Sequence, residues 1–213
     1  MTLPFTTEQF FDVFARYNTA VRPMQIVLLV LGLVAAPLAA TRRGWRAAAL
    51  IVAALWAWMA VAYHAAFFTA VNPAAYFFAM AFALEAALIA RWAMDRYQEF
   101  VRPSPMQIAI ACVVFLYAFV GYPLIGSLVG ERFPAAPTFG VPCPTTIFTF
   151  GIFAMLASSL PPSLLIIPIA WAFIGAFAGV SLGVPQDLGL LAATLASLVT
   201  TPTLKPLQRG TVS

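Results

Sequence analysis

Charge is what this chain has least of: Asp, Glu, Lys and Arg together make up 8% of its 213 residues, with one histidine and two cysteines beside them. Two cysteines far apart rule out a disulfide framework, a structural zinc site and a paired-thiol metal carrier. There is no Gly-rich nucleotide loop and no basic–aromatic pattern, so phosphate-cradling and nucleic-acid binding are excluded despite a net charge of +4. Polar linkers are scarce too. The longest gap between apolar runs, Gly130 to Pro144, is too short for a separate soluble domain.

What is present is hydrocarbon. Apolar residues make up 63% of the chain and the mean hydropathy is +0.95. A bilayer core of about 30 Å takes roughly 20 helical residues per crossing. Runs of that kind lie near 24–40, 45–68, 73–94, 106–129, 145–160, 164–183 and 186–202. Long runs without period-two alternation favour helices over a β-barrel. The expectation is an all-α polytopic transmembrane bundle of about seven spans. It divides into an interfacial helix over 1–22, the bundle over 23–204 and a short tail over 205–213. The fifth and seventh runs are short enough that either could be re-entrant.

Basic residues orient the bundle. Arg42, Arg43 and Arg46 follow the first span, Arg91, Arg96 and Arg102 surround the turn after the third, and Lys205 and Arg209 follow the seventh. The opposite connections are poor in them, so the positive-inside rule places the N-terminus outside and the C-terminus in the cytosol. A basic n-region is missing and the first long apolar run begins only at Met24, so a retained N-terminus is expected. Within it, Thr6 and Gln9 have capping-box spacing, and Phe10, Phe14, Tyr17 and Val21 recur at helical intervals opposite Glu8, Asp12 and Arg16. That pattern predicts an amphipathic helix on the outer interface. Pro-Met-Gln-Ile occurs at 23–26 and again at 105–108, opening spans one and four from opposite sides, a hint of an inverted repeat that does not extend further.

The candidate site residues gather at the outer end. The loop from Gly130 to Pro144 carries four prolines and is therefore stiff. The short fifth span draws its Pro142-Cys143-Pro144 end inward, toward a helix N-terminus that favours a thiolate. A small residue in a tight turn explains Cys143 equally. His64 closes span two, Asn72 precedes Pro73 as a natural N-cap, Asp187 sits in the first turn of span seven, and Glu131-Arg132 lie in the proline loop. Capping and interfacial roles account for each singly; their convergence from four connections is what suggests a site. Glu85 is the ionisable residue nearest mid-bilayer and must be neutral, paired or facing water. Tyr117, Thr194 and Ser197 lie at depths where they could meet it. Cys112, about 25 Å from the outer face by helical rise, cannot partner Cys143. Gly175 and Gly179 have the small-xxx-small spacing of close helix packing.

Phe5-Thr6-Thr7-Glu8-Gln9-Phe10-Phe11, Asn72-Pro73-Ala74-Ala75-Tyr76, Pro137-Thr138-Phe139-Gly140-Val141-Pro142-Cys143-Pro144-Thr145-Thr146 and Val184-Pro185-Gln186-Asp187 together resemble a bacterial multipass membrane family filed as a domain of unknown function, number 6064. The resemblance implies a bacterial inner-membrane protein and carries over no activity or catalytic residue. Three functions stay open. The first is a transporter, channel or receptor with a polar site on the periplasmic face and a relay through Glu85 and Tyr117. The second is an enzyme with Cys143 as nucleophile, His64 as base, and Asp187 or Asn72 orienting. The third is an accessory subunit of a membrane complex. The transport reading leads, so an enzyme is the less favoured expectation. No cofactor or metal is called for. The expected partners are the lipid bilayer, a small solute or ion, and a second copy or a larger membrane assembly.

Overall fold

The computed structural model describes residues 4–200, and these are helical with no strand among them. Helix α1 (Thr7–Ala20) opens with a complete capping box. The Thr6 hydroxyl accepts from the Gln9 N–H and the Gln9 side chain accepts from the Thr6 N–H, at 3.2 and 2.9 Å. Then follow α2 (Arg22–Ala39), α3 (Trp45–Trp58), α4 (Ala75–Met94), α5 (Pro105–Leu116), α6 (Tyr122–Leu128), α7 (Pro142–Leu156), α8 (Ile166–Leu182) and α9 (Gly189–Thr200). Helix α3 runs on through a π-helical stretch, Met59–Ala65, and a second one, Tyr117–Gly121, joins α5 to α6.

Among the described residues five helical stretches are long and apolar enough to cross a membrane: Arg22–Ala39, Trp45–Ala70, Ala75–Met94, Pro105–Leu128 and Pro162–Leu182. Their outward faces carry large apolar side chains such as Ile26, Leu84, Val113 and Phe173, a surface suited to lipid. The expected fifth run is instead the shorter helix α7, about 22 Å long by helical rise. Its side chains are buried around the whole circumference, Cys143 alone being intermediate, because α2, α3, α5, α8 and α9 enclose it. A helix with no lipid face need not match the hydrocarbon thickness. The expected seventh run is α9, described as far as Thr200; the basic pair Lys205 and Arg209 and the 205–213 tail lie outside the described residues.

The basic loops meet at one end. The Arg46 guanidinium donates to the carbonyls of Ala93, Asp95 and Gln98, so the first turn of α3 caps the C-terminus of α4. At the other end, the buried face of α1 (Phe10, Val13, Phe14, Tyr17) packs on Tyr63, Phe68 and Val184, so it meets protein rather than headgroups.

Arg46→Ala should lower the stability of the detergent-solubilised protein by about 2 kcal/mol, because three carbonyls lose a charged donor. Arg46→Lys should restore little of it, since the carbonyls are bonded from two separate guanidinium nitrogens and a single ammonium nitrogen cannot occupy both positions. Thermal melts of the three proteins check both statements.

Candidate functional site

The end opposite the Arg46 cap is organised by the proline loop. Asn18 of α1, fully buried, donates to the carbonyls of Pro134 and Ala136 at 2.6 and 2.8 Å. Gln25 of α2 donates to Asn18 Oδ1 and to the Thr138 hydroxyl at 2.5 and 3.1 Å. Phe139 fills the notch left by Gly32 and packs on Phe119 and Phe148, with ring centroids 5.0 and 5.4 Å away. With the Pro134 and Ala136 carbonyls satisfied by Asn18, the loop becomes buried at Gly140, and Val141 and Pro142 deliver Cys143 into the first turn of α7.

Asp187 arrives from the other side. Helix α8 ends at Gly183, whose φ of +76° suits glycine, and the N–H groups of Gly183 and Val184 both return to the Gly179 carbonyl. The chain then turns back through Pro185 and Gln186. Asp187 settles where Gly179 has no side chain: a Cβ there would lie 2.5 Å from Asp187 Cβ. One turn earlier, a Cβ on Gly175 would meet Leu190 at 2.6 Å and Cys143 Sγ at 3.4 Å. The small-residue pair thus packs helices closely and also makes the space into which the thiol and the carboxylate come together.

Asp187 is 2% exposed. Its Oδ1 accepts from the Tyr122 hydroxyl at 2.6 Å, and its carboxylate faces the Cys143 thiol. The neighbouring Gln186 donates to Glu131 Oε2 at 2.7 Å, while its own carbonyl accepts from Tyr117 at 2.7 Å. Burial raises the Glu131 carboxyl above its ordinary range and the Gln186 hydrogen bond partly offsets this. Arg132 is exposed and donates to the Ser127 and Glu131 carbonyls; among the described residues it makes no ion pair.

Asn72, Cys143 and Asp187 line one cavity of about 120 Å³. Its walls are otherwise mostly aromatic: Phe10 and Phe14 from α1, Tyr63 from the π-helical end of α3, Phe78 from α4 and Trp171 from α8. Asn72 also accepts from the Ala74 N–H at 3.0 Å, so it caps the turn into α4 while facing the chamber. His64 stands outside. It is fully buried among Phe68, Phe78, Phe82 and Trp171, with its ring centroid 4.5 Å from that of Phe82, and neither ring nitrogen has a hydrogen-bond partner. Cys112 is exposed on α5 and Cys143 half-buried, so bulk exposure ranks them opposite to the reactivity expected from helix position.

The relay residues separate. Glu85 is fully buried on α4 with both carboxyl oxygens unpartnered, Tyr117 is committed to the Gln186 carbonyl, and Thr194 turns its hydroxyl back to Leu190. Equal depth along a bundle does not fix the direction in which a side chain points. Tyr122, Tyr63 and Trp171 escape sequence reading because an aromatic in an apolar run looks like filling. Among the described residues no cluster of His, Cys, Asp and Glu could hold a metal ion.

A family model matches residues 7–208. The chain belongs to DUF6064, a family of unknown function. The match spans the α1 roof, the proline loop and the Val184–Asp187 turn, so every element of the cavity except Phe5 lies within the DUF6064 region. No curated protein and no solved structure matches the chain.

Two substitutions test this geometry in the DUF6064 protein. Tyr122→Phe should cost about 1–3 kcal/mol, because a buried carboxylate oxygen loses its donor. Glu85→Met should leave stability unchanged or raise it, since an unpartnered buried carboxyl is replaced by a flexible apolar chain. Melting curves decide both; marked destabilisation by Glu85→Met would mean that the carboxyl is hydrogen-bonded after all.

Proposed function

We propose that this is a multipass protein of a bacterial inner membrane that binds a small solute at its periplasmic end, as a transporter, channel or receptor. In this reading α7 and α9 count with the five long helices as seven crossings, the N-terminus lies outside and the C-terminus inside. Helix α1 is then an interfacial helix that roofs the site. The reading rests on one observation: three polar residues from three separate connections, Asn72, Cys143 and Asp187, face one aromatic-walled cavity. A few placed polar groups in a largely apolar concavity is how small-molecule sites are built.

The cysteine-enzyme alternative lacks its base. His64, the base that reading requires, is absent from the cavity wall and neither of its nitrogens is hydrogen-bonded, so the Cys143 thiol has the Asp187 carboxylate beside it and no imidazole. An accessory subunit needs no such chamber. The Glu85–Tyr117 relay has no support in the hydrogen bonding, and a solute path below the chamber is no part of the proposal.

Thiol labelling in oriented membranes tests it, with Cys112→Ser leaving Cys143 as the one target. Small membrane-impermeant methanethiosulfonates added from the periplasmic side should modify Cys143. Phe10→Ala, which opens the roof, should speed the reaction, and Ala178→Trp, which fills the cavity, should slow it. Modification from the cytosolic side alone would invert the orientation. No modification even with the roof opened would remove the cavity as an externally accessible site.

A further inference from the structure

The cavity pairs a buried acid with aromatic faces and holds no base. Among the described residues, none that lines it is Lys, Arg or His. Asp187 has only neutral donors beside it, the Tyr122 hydroxyl and the Cys143 thiol. A second carboxylate, Glu131, is close enough to repel it and is tied to the adjacent Gln186. An anionic ligand would meet Asp187 in the wall, with Glu131 behind it, and no counter-charge among the described lining residues. A cation would supply the charge that the site lacks.

The walls fit that charge. Phe10 and Phe14 stand 4.8 Å apart by ring centroid, Phe14 and Tyr63 5.7 Å, and Phe78 and Trp171 5.4 Å, so rings from four helical elements turn on a shared space. Aromatic faces attract a cation within about 6 Å of the ring centroid, most strongly when it is desolvated. An alkylated ammonium suits such a site better than Na⁺ or K⁺, because its methyl groups lose little hydration and pack against rings. The volume of about 120 Å³ is near that of the engineered apolar cavity of about 150 Å³ that accepts benzene, so it admits a group of about five heavy atoms.

We propose that the cavity under α1 is a binding site for a small alkylammonium cation, held by the Asp187 carboxylate and the aromatic walls. This rests on the reading of that cavity as the ligand site, and it names the ligand's chemical class.

The test is a pair of probes of equal size on the full-length protein in detergent or nanodiscs, at constant ionic strength. Tetramethylammonium should raise the melting temperature saturably and protect Cys143 from a neutral methanethiosulfonate. tert-Butanol, similar in size but uncharged, should be about tenfold or more weaker in both assays. Asp187→Asn should abolish the preference; the wild-type comparison decides the matter even if that variant folds poorly. Equal protection by both probes would overturn the cation assignment while leaving an apolar pocket. Protection by neither, with Cys143 still labelled through the opened roof, would overturn it and leave the cavity reading standing.

Discussion

The structure depends on enclosing α7. A helix with Thr145, Thr146, Thr149, Phe148 and Phe153 all buried must be surrounded, and five neighbouring helices do this. Its polar side chains are then shielded from hydrocarbon and mostly bonded: Thr145 accepts from the Gly140 N–H at 2.9 Å, Thr149 donates to the Thr145 carbonyl, and Trp56 of α3 donates to Thr149 at 3.1 Å. Gly151 supplies the closest approach, since a Cβ there would sit 2.5 Å from the ring of Phe115 on α5. A central helix freed from lipid can be short. Its N-terminal end is reached through buried Val141 and Pro142, and Pro142 and Cys143 there form part of the cavity wall.

The proline loop follows from the same constraint. A chain that leads into an enclosed helix must carry irregular backbone into the bundle, where each carbonyl needs a donor. Asn18 of α1 donates to the Pro134 and Ala136 carbonyls, Gln25 of α2 donates to the Thr138 hydroxyl, and Tyr17, whose hydroxyl accepts from Trp58 at 2.7 Å, reaches the Gly140 carbonyl at 3.4 Å. Helix α1 is therefore held by polar bonds on one edge and by Phe10 and Phe14 on the other. The residues that secure the loop and those that roof the cavity share one helix, so displacing α1 exposes the chamber and unseats the loop together.

Much of this was legible in the sequence for specific reasons. Four prolines and a short apolar run announced a non-helical loop leading to a short helix, and Thr6 with Gln9 announced a helix start, because capping and proline chemistry are local. The apolar face of α1 was legible as well, but not what it would cover. Hydropathy does not distinguish a lipid-facing run from an enclosed one, so the enclosure of α7 was not legible. The π-helical stretches left no local signal, yet they set the rotation of Tyr63, Tyr117 and Tyr122 relative to the helices that carry them. Glu85 and Tyr117 failed to meet for the same reason: helical rise gives depth, whereas azimuth comes from packing.

Gly175 and Gly179 show how packing and chemistry become inseparable at such a site. Small residues on a membrane helix let a neighbour approach closely. Here the approach is made by Leu190 and Cys143 at one glycine and by Asp187 at the next. A methyl group at Gly179 would displace the carboxylate from the Tyr122 hydroxyl, so helix contact and acid placement cannot be altered independently. An acid at the start of a helix has a stabilising role in the helix dipole on its own. What distinguishes Asp187 is that it is withdrawn from water against a bare stretch of backbone, with one tyrosine donor and no base, in a chamber whose remaining walls are rings.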